Sequence, residues 1–238
     1  MELSKRLQAV ADSVTPGNRV ADVGCDHAYI SIYLIEHGIS PLVVAMDVNK
    51  GPLERAKENI ERKGFSSKIQ VRLSDGLKKL QPGEVDTILI AGMGGALVTR
   101  ILEEGAAAVK RCRELVLQPQ SELPLVRKYL HTIGFQIRTE LMLEEDGKYY
   151  DIIKAVPSFI NETYEREVFY QYGKLPLEGQ DAVAKDFLLR EKRLKSQVME
   201  ELSRNSTENT RKRLAQVEQE IAYIEEGLLY YKEKVFLS

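Results

Sequence analysis

The sequence predicts an α/β protein whose sheet is mostly parallel and ends in an antiparallel hairpin, followed by an α-helical coiled-coil hairpin. Short runs rich in Val and Ile alternate with helical segments, which is typical of a parallel sheet covered on both faces. Asp146-Gly147 separates two alternating apolar runs and favours a tight turn. Beyond Pro157 the segments are long, polar and helical in periodicity. We therefore expect one domain over residues 1–157 and a helical hairpin over residues 158–238.

Composition excludes several classes of protein. The 238 residues are 43% hydrophobic, enough for a continuous core. A net charge of −2 excludes a uniformly basic nucleic-acid coat, so binding of nucleic acid requires a local basic patch. The two cysteines are too few for a disulfide framework, the three histidines lack metal-ligand spacing, and no stretch approaches the roughly 18 apolar residues of a membrane span. We expect a cytoplasmic protein with no bound metal and no obligate protein partner.

The first elements form a βαβ unit behind a short helix. Leu3, Leu7, Val10 and Val14 recur at helical spacing before a Thr-Pro-Gly stop. The pattern then predicts strands at 19–24 and 42–47 around a helix at 29–37. Further along the chain it predicts helices at about 52–63 and after Gly95, and strands at 69–73, 85–90 and 114–118.

The end of the chain carries a hairpin and then two long helices. Alternating residues from Phe135 lead to Asp146-Gly147 and a return strand at 149–156. Spacings of three and four give a coiled-coil seam at Leu214, Val217, Ile221, Ile224, Leu228, Tyr231 and Val235. A less regular partner contains Val183, Phe187, Leu194, Val198 and Leu202. We expect the turn near Asn205, which would cap the second helix together with Glu208.

The turn after the first strand is the main candidate for a ligand site. Gly24 lies where open α/β sheets bind ligands, and Asp47 follows at the end of the second strand, where a carboxylate meets ribose hydroxyls. This pairing suits NAD as well as S-adenosylmethionine. However, a dinucleotide fingerprint needs three glycines, whereas the positions after Gly24 hold Asp26 and Ala28, and Asp26 would repel a pyrophosphate. A sulfonium donor is therefore favoured, while a simple tight turn remains the structural alternative.

Two further loops lie at the carboxyl ends of predicted strands. Asp75, beside Gly76, is a candidate acceptor for an adenine amino group, although a plain turn would explain the same residues. A glycine-rich loop leaves backbone groups bare and could line the pocket of the acceptor base. Its candidate residues are Ala91, Gly92, Met93 and Gly94.

With VADVGCDHAY, the run from Asp47 to Pro52, SDGL and AGMGG, the whole chain resembles the bacterial tRNA (adenine-22-N1)-methyltransferase family. The resemblance implies a Rossmann-like class I methyltransferase fold, S-adenosylmethionine as donor and N1-methyladenosine in tRNA as product. It implies that the donor's methionine part is held by Gly24, Cys25, Asp26 and His27, with Arg6 near the donor carboxylate. The ribose and adenine would contact Asp47, Val48, Asn49, Asp75 and Gly76.

Asp26 is the candidate catalytic residue. Most class I methyltransferases carry glycine at this position, so the Asp26 carboxylate departs from the usual first loop of class I methyltransferases. It would accept a hydrogen bond from the adenine amino group and stabilise the positive charge that develops on the ring. A contact to the donor's amino group is the alternative. Cys25 is interpreted as a small packing residue, because N-methylation needs no covalent enzyme intermediate.

A basic tip on the helical hairpin is the candidate RNA-binding surface. Eight basic residues against four acidic ones lie between Arg190 and Arg213, and phosphate neutralisation dominates non-specific RNA affinity. The residues that would contact RNA are Arg190, Arg193, Arg204, Arg211, Lys212 and Arg213. A solvated coiled-coil surface is the alternative. Two other functions are also open: an NAD-dependent oxidoreductase and a non-catalytic RNA-binding scaffold.

Overall fold

Seven strands form one sheet in the computed structural model, which describes residues 3–160, 163–204 and 207–232. The strands are β1 (Val20–Val23), β2 (Val43–Asp47), β3 (Ile69–Leu73), β4 (Thr87–Met93), β5 (Glu114–Pro119), β6 (Phe135–Glu145) and β7 (Lys148–Pro157). Their order across the sheet is β3-β2-β1-β4-β5-β7-β6. The pairs from β3 to β5 are parallel, and β7 pairs antiparallel with β5. The predicted parallel sheet with a closing antiparallel hairpin is confirmed.

Helices connect the strands as the alternating pattern predicts. They are α1 (Lys5–Asp12), α2 (Tyr29–Glu36), α3 (Lys50–Arg62), α4 (Gly95–Glu104), α5 (Ala106–Val109) and α6 (Leu123–Thr132). The sequence analysis assigned no element to α5 or α6. The start of α6 has Pro124 in its first turn, which is one sign of a helix N-terminus, but Glu122 precedes the helix with a φ of 54° and no side-chain cap.

The core follows from the composition of the central strands. Every residue of β1, β2 and β5 is buried, as is typical of parallel strands covered on both faces. Because β1 pairs with β2 on one side and β4 on the other, the connections reverse direction at this strand. The carboxyl ends of β1 and β4 therefore border the crevice in which open α/β sheets bind ligands.

The chain divides into two compact units, and the second begins at Tyr164 and also includes residues 142–144. Its helices are α7 (Glu167–Tyr172), α8 (Lys174–Glu178), α9 (Ala182–Ser203) and α10 (Glu208–Leu228), with a 3-10 turn at Leu229–Tyr231. Its apolar core contains Val168, Phe169, Leu177, Leu188 and Ile224. The short helices α7 and α8 were not predicted.

Helices α9 and α10 run antiparallel, since Lys192 pairs with Glu225 while Lys195 pairs with Glu220. In the predicted seam on α10, Val217 and Ile224 are fully buried, whereas Leu194 and Val198 of the less regular partner helix α9 remain 39% exposed.

The cap of α10 differs from the expected one. Thr207 caps this helix, and its side chain accepts a hydrogen bond from the Thr210 amide. The predicted cap, Asn205, and the last seam residue, Val235, lie outside the described residues.

Candidate functional site

A cavity of about 280 Å³ lies at the carboxyl ends of β1 and β4, with α1 beside it. Its lining residues are Arg6, Leu7, Asp22, Gly24, Cys25, Asp26, His27, Tyr29, Ile30, Ala91, Gly92 and Gln120. Seven of these residues were candidates from the sequence. Asp22, Tyr29 and Gln120 are polar lining residues that the sequence analysis did not select.

The loop after β1 lines the cavity and is hydrogen-bonded to the neighbouring strand β2. The amides of Gly24 and Cys25 both donate to the Met46 carbonyl, at 2.8 and 3.0 Å, which ties the loop to β2. Gly24 has a φ of 76°, a backbone conformation that glycine adopts at little cost and other residues rarely adopt. Asp26 and Ala28 also have positive φ values, which are uncommon for residues other than glycine.

Asp22 is a buried carboxylate at the edge of the cavity. The Ser31 hydroxyl donates a 2.6 Å hydrogen bond to its Oδ2 atom. Burial raises the pKa of Asp22 to about 6, while the hydrogen bond from Ser31 opposes that rise. The position could have been selected from the sequence, because Asp22 stands two residues before Gly24 at the end of an otherwise apolar strand.

Arg6 is a cation that contacts two neutral side chains. Its Nη1 atom donates to the Gln118 side-chain oxygen at 2.8 Å, and its guanidinium lies 5.3 Å from the centre of the Tyr150 ring. No carboxylate pairs with Arg6 among the described residues. Because Asp22 and Asp26 line the same cavity, the cavity presents both signs of charge. This arrangement suits a ligand that carries an ammonium and a carboxylate group.

Asp47 links the loops that follow β1 and β2. Its Oδ1 atom accepts from the Asn49 amide at 2.9 Å, and its Oδ2 atom accepts from the Asp26 amide at 3.4 Å. Asp47 is buried, whereas Val48 is 58% exposed. These three candidates, Asp47, Val48 and Asn49, do not line the 280 Å³ cavity.

Asp75 and Gly76 also lie outside that cavity. The Asp75 carboxylate is exposed and accepts from Lys78 Nζ at 2.5 Å, and this hydrogen bond lowers the pKa of Asp75. Their contact with an adenine ring stays a prediction.

The glycine-rich loop serves two purposes. Ala91 and Gly92 line the cavity, but Met93 and Gly94 do not. A Cβ atom on Gly95 would lie 2.5 Å from the Ser121 carbonyl oxygen, so this glycine permits close packing against the loop before α6. Packing therefore explains Gly95, while Gly92 belongs to the cavity.

Cys25 and His27 have neighbours that define their roles. Burial raises the pKa of the Cys25 thiol, which keeps it protonated and poorly nucleophilic. The His27 ring stacks on Tyr29 with 5.1 Å between centroids, and its Nε2 atom lies 3.6 Å from Asp26 Oδ1. The Asp26 side chain is 65% exposed, so it is accessible to a second substrate at the cavity mouth.

The predicted basic tip is partly neutralised. Lys212 pairs with Glu208 at 2.8 Å and Arg213 with Glu220 at 3.2 Å. No ion pair involves Arg193, Arg204 or Arg211 within the described ranges 163–204 and 207–232. These three arginines are the best candidates for contacts with phosphate.

The described part of the chain contains no helix long and apolar enough to cross a membrane. Nor does it contain a group of three or more His, Cys, Asp or Glu side chains that could hold a metal ion.

Comparisons with known proteins point to one enzyme family. A family model described as a methyltransferase domain matches residues 3–153. The tRNA (adenine(22)-N(1))-methyltransferase of Bacillus subtilis is 40% identical over 155 residues, which span 65% of this chain and 65% of that protein.

Solved structures extend the likeness over nearly the whole chain. The crystal structure of the B. subtilis M1A22 tRNA methyltransferase has a TM-score of 0.86 at 31% identity, covering 95% of this chain and 99% of that one. A putative tRNA (m1A22) methyltransferase from Streptococcus pneumoniae, in complex with S-adenosyl-L-methionine, has a TM-score of 0.85 at 34% identity, covering 95% and 100%.

Proposed function

Because the chain belongs to the methyltransferase-domain family, we propose that it transfers a methyl group from S-adenosylmethionine to N1 of adenosine 22 in tRNA. The observation that carries this proposal is the cavity at the ends of β1 and β4, where Arg6 faces neutral partners and Asp22 and Asp26 supply carboxylates. The likeness to relatives that act on tRNA supports the choice of substrate.

The residues present fit the amino-acid part of the donor. Arg6 would hold the carboxylate and Asp22 the ammonium group, while Gly24 allows the ligand to approach the backbone. Asp47 would accept hydrogen bonds from the ribose hydroxyls, with Asp75 at the adenine edge. When bound, S-adenosylmethionine supplies a methyl group activated by its positively charged sulfur. NAD is disfavoured, because Asp26 lines the place where a pyrophosphate would bind.

In this proposal Asp26 acts on the acceptor base. The N1 lone pair lies in the plane of adenine, so the base must leave its stack before that lone pair can reach the cavity. Attack by N1 leaves positive charge on the ring. The exposed Asp26 carboxylate would accept a hydrogen bond from the adenine amino group and stabilise this charge.

The helical segment over residues 158–238 would hold the tRNA. Arg193, Arg204 and Arg211 would neutralise backbone phosphates, since no ion pair in the described ranges engages them. With tRNA as its substrate, the protein would act in the cytoplasm.

The direct test incubates the protein with labelled S-adenosylmethionine and unmodified tRNA, then locates the modified nucleoside by mass spectrometry. We expect 1-methyladenosine at position 22, and no label in a matched tRNA that carries guanosine there. Label at another nucleotide of the tRNA would contradict the proposal. So would tRNA that stays unlabelled after incubation with a folded protein that binds the donor. Calorimetry with NAD and with S-adenosylmethionine tests the oxidoreductase alternative, which requires that NAD binds in place of S-adenosylmethionine.

A further inference from the structure

Gln118 on β5 is a fully buried amide whose oxygen and nitrogen atoms both have hydrogen-bond partners. Its Oε1 atom accepts from Arg6 Nη1 at 2.8 Å and from the Gly92 amide at 3.1 Å. Its Nε2 atom donates to the Pro119 carbonyl at 3.2 Å. Arg6 and Gly92 both line the cavity, so this one side chain contacts two parts of its wall.

The contact with Gly92 compensates for a β-bulge in strand β4. Ala91 of β4 is opposite Gln118 and Met93 is opposite Pro119, so Gly92 is an extra residue without a partner of its own. Its φ of 78° turns the backbone away from the regular ladder. An unpaired amide at this position would be costly, and the Gln118 side chain satisfies it.

The net charge that Arg6 presents to the cavity depends on the Gln118 side chain being neutral. A glutamate at 118 would have nearly the same shape and would still accept from both donors. However, it would neutralise the guanidinium, and its second oxygen would face the Pro119 carbonyl instead of donating to it. Gln118 holds Arg6 through a hydrogen bond and leaves the charge of the guanidinium available to the cavity, and the other partner of Arg6, the Tyr150 ring, is also neutral.

We propose that Gln118 is a positioning residue that holds Arg6 as an uncompensated cation and thereby sets the preference of the cavity for ligands with a carboxylate. The inference rests on the proposed function, because it assigns Arg6 to the carboxylate of the donor. It adds that the neutrality of residue 118 determines this selectivity.

The test compares two donors that differ only in that carboxylate. Calorimetry gives the Kd of S-adenosylmethionine and of its decarboxylated analogue, and the ratio of the two constants measures carboxylate selectivity. The wild-type protein should prefer S-adenosylmethionine on the order of tenfold or more, as a charge-assisted hydrogen bond implies. In Gln118→Glu the ratio should fall towards one. If residue 118 were merely structural, both constants would rise by the same factor and the ratio would not change.

Two further variants keep the test decisive. Gln70→Glu makes the same change beside Arg72, to which Gln70 is hydrogen-bonded, and should leave the ratio at its wild-type value. Arg6→Gln, on helix α1, should lower the ratio without disturbing the buried site, and combining it with Gln118→Glu should lower the ratio no further. If Gln118→Glu does not fold, a normal ratio in Arg6→Gln still overturns the inference.

The two proposals fail in different ways. A wild-type protein that does not bind S-adenosylmethionine contradicts the proposed function. A wild-type protein that binds both donors equally contradicts the assignment of Arg6 to the donor carboxylate, and with it the role of Gln118, but leaves methyl transfer untouched. A folded Gln118→Glu protein that keeps its selectivity overturns the role of Gln118 alone.

Discussion

The Ser31 hydroxyl donates a 2.6 Å hydrogen bond to Asp22, and both side chains are buried. The pair sets the protonation of a carboxylate that lines the cavity. Burial favours the neutral acid and raises its pKa to about 6, and the hydrogen bond favours the charged form.

Donor affinity should therefore depend on pH. A bound ammonium group would stabilise the ionised form of Asp22, so its pKa would be lower in the complex than in the free protein. Binding then releases a proton wherever the free protein holds one. We expect affinity to increase as the pH rises to about 6 and to level off above it. Calorimetry from about pH 5 to pH 8, in two buffers of different ionisation enthalpy, measures both effects.

Two variants check that assignment. Ser31→Ala should move the inflection to higher pH, because it removes a group that lowers the pKa of Asp22. Asp22→Asn should weaken binding and abolish the pH dependence. A flat profile in the wild-type protein would contradict the role of Asp22.

Asp26→Asn should lower turnover more than donor affinity. The substitution keeps the shape of the side chain but removes the charge that would stabilise the methylated ring. Measured together, kcat on tRNA and the Kd of S-adenosylmethionine distinguish the two roles. Equal losses in both would assign Asp26 to the donor.

Asp47→Ala should weaken donor binding by about 1.5–3 kcal/mol, the value of a hydrogen bond to a charged group. The side chain also holds the amides of Asn49 and Asp26, so some of the loss would come from disorder in these loops. Asp47→Asn keeps one acceptor oxygen and is the matched control. Unchanged affinity in the alanine variant would refute the ribose assignment.

Replacing Arg193, Arg204 and Arg211 with Gln should weaken tRNA binding and make it less dependent on salt. Each lost phosphate contact reduces the magnitude of the log-log slope by about 0.7 to 0.9. The matched control replaces Lys192, Lys195 and Lys212, which are paired with glutamates, and removes the same charge. If the two triple variants behave alike, the pairing of each cation does not matter and the tip acts only through its total charge.

Arg127→Met should destabilise the first unit by about 3–5 kcal/mol near neutral pH. The guanidinium is fully buried between Glu140 and Asp151, at 2.7 and 2.9 Å, and its loss leaves two carboxylates uncompensated. The penalty should shrink in acid, because protonation removes the buried charge. Urea unfolding at two pH values measures the change, and Arg138→Met, at an exposed position on β6, the strand that carries Glu140, is the control. A loss as small as that of the control would show that the buried triad contributes little.

The sequence predicted the elements that have their own periodicity. Apolar runs defined the central strands, and Asp146-Gly147 defined the hairpin, whose strands end and begin beside it. Helix α6 was missed because the residue before it, Glu122, provides no side-chain cap, although Pro124 lies in its first turn. Gln118 was missed for a different reason: its partner Arg6 lies 112 positions away and its second partner exists only because β4 bulges. Such a role depends on tertiary structure and leaves no local pattern.

The sheet order has a consequence for synthesis on the ribosome. Strand β5 lies between β4 and β7, and all six of its residues are buried in the finished sheet. Its outer edge is therefore unprotected until the chain has been made as far as Pro157, some forty residues later along the sequence. An unpaired apolar edge is a template for aggregation. Nascent chains that stall between these strands should need a chaperone, whereas chains that stall after β7 should not.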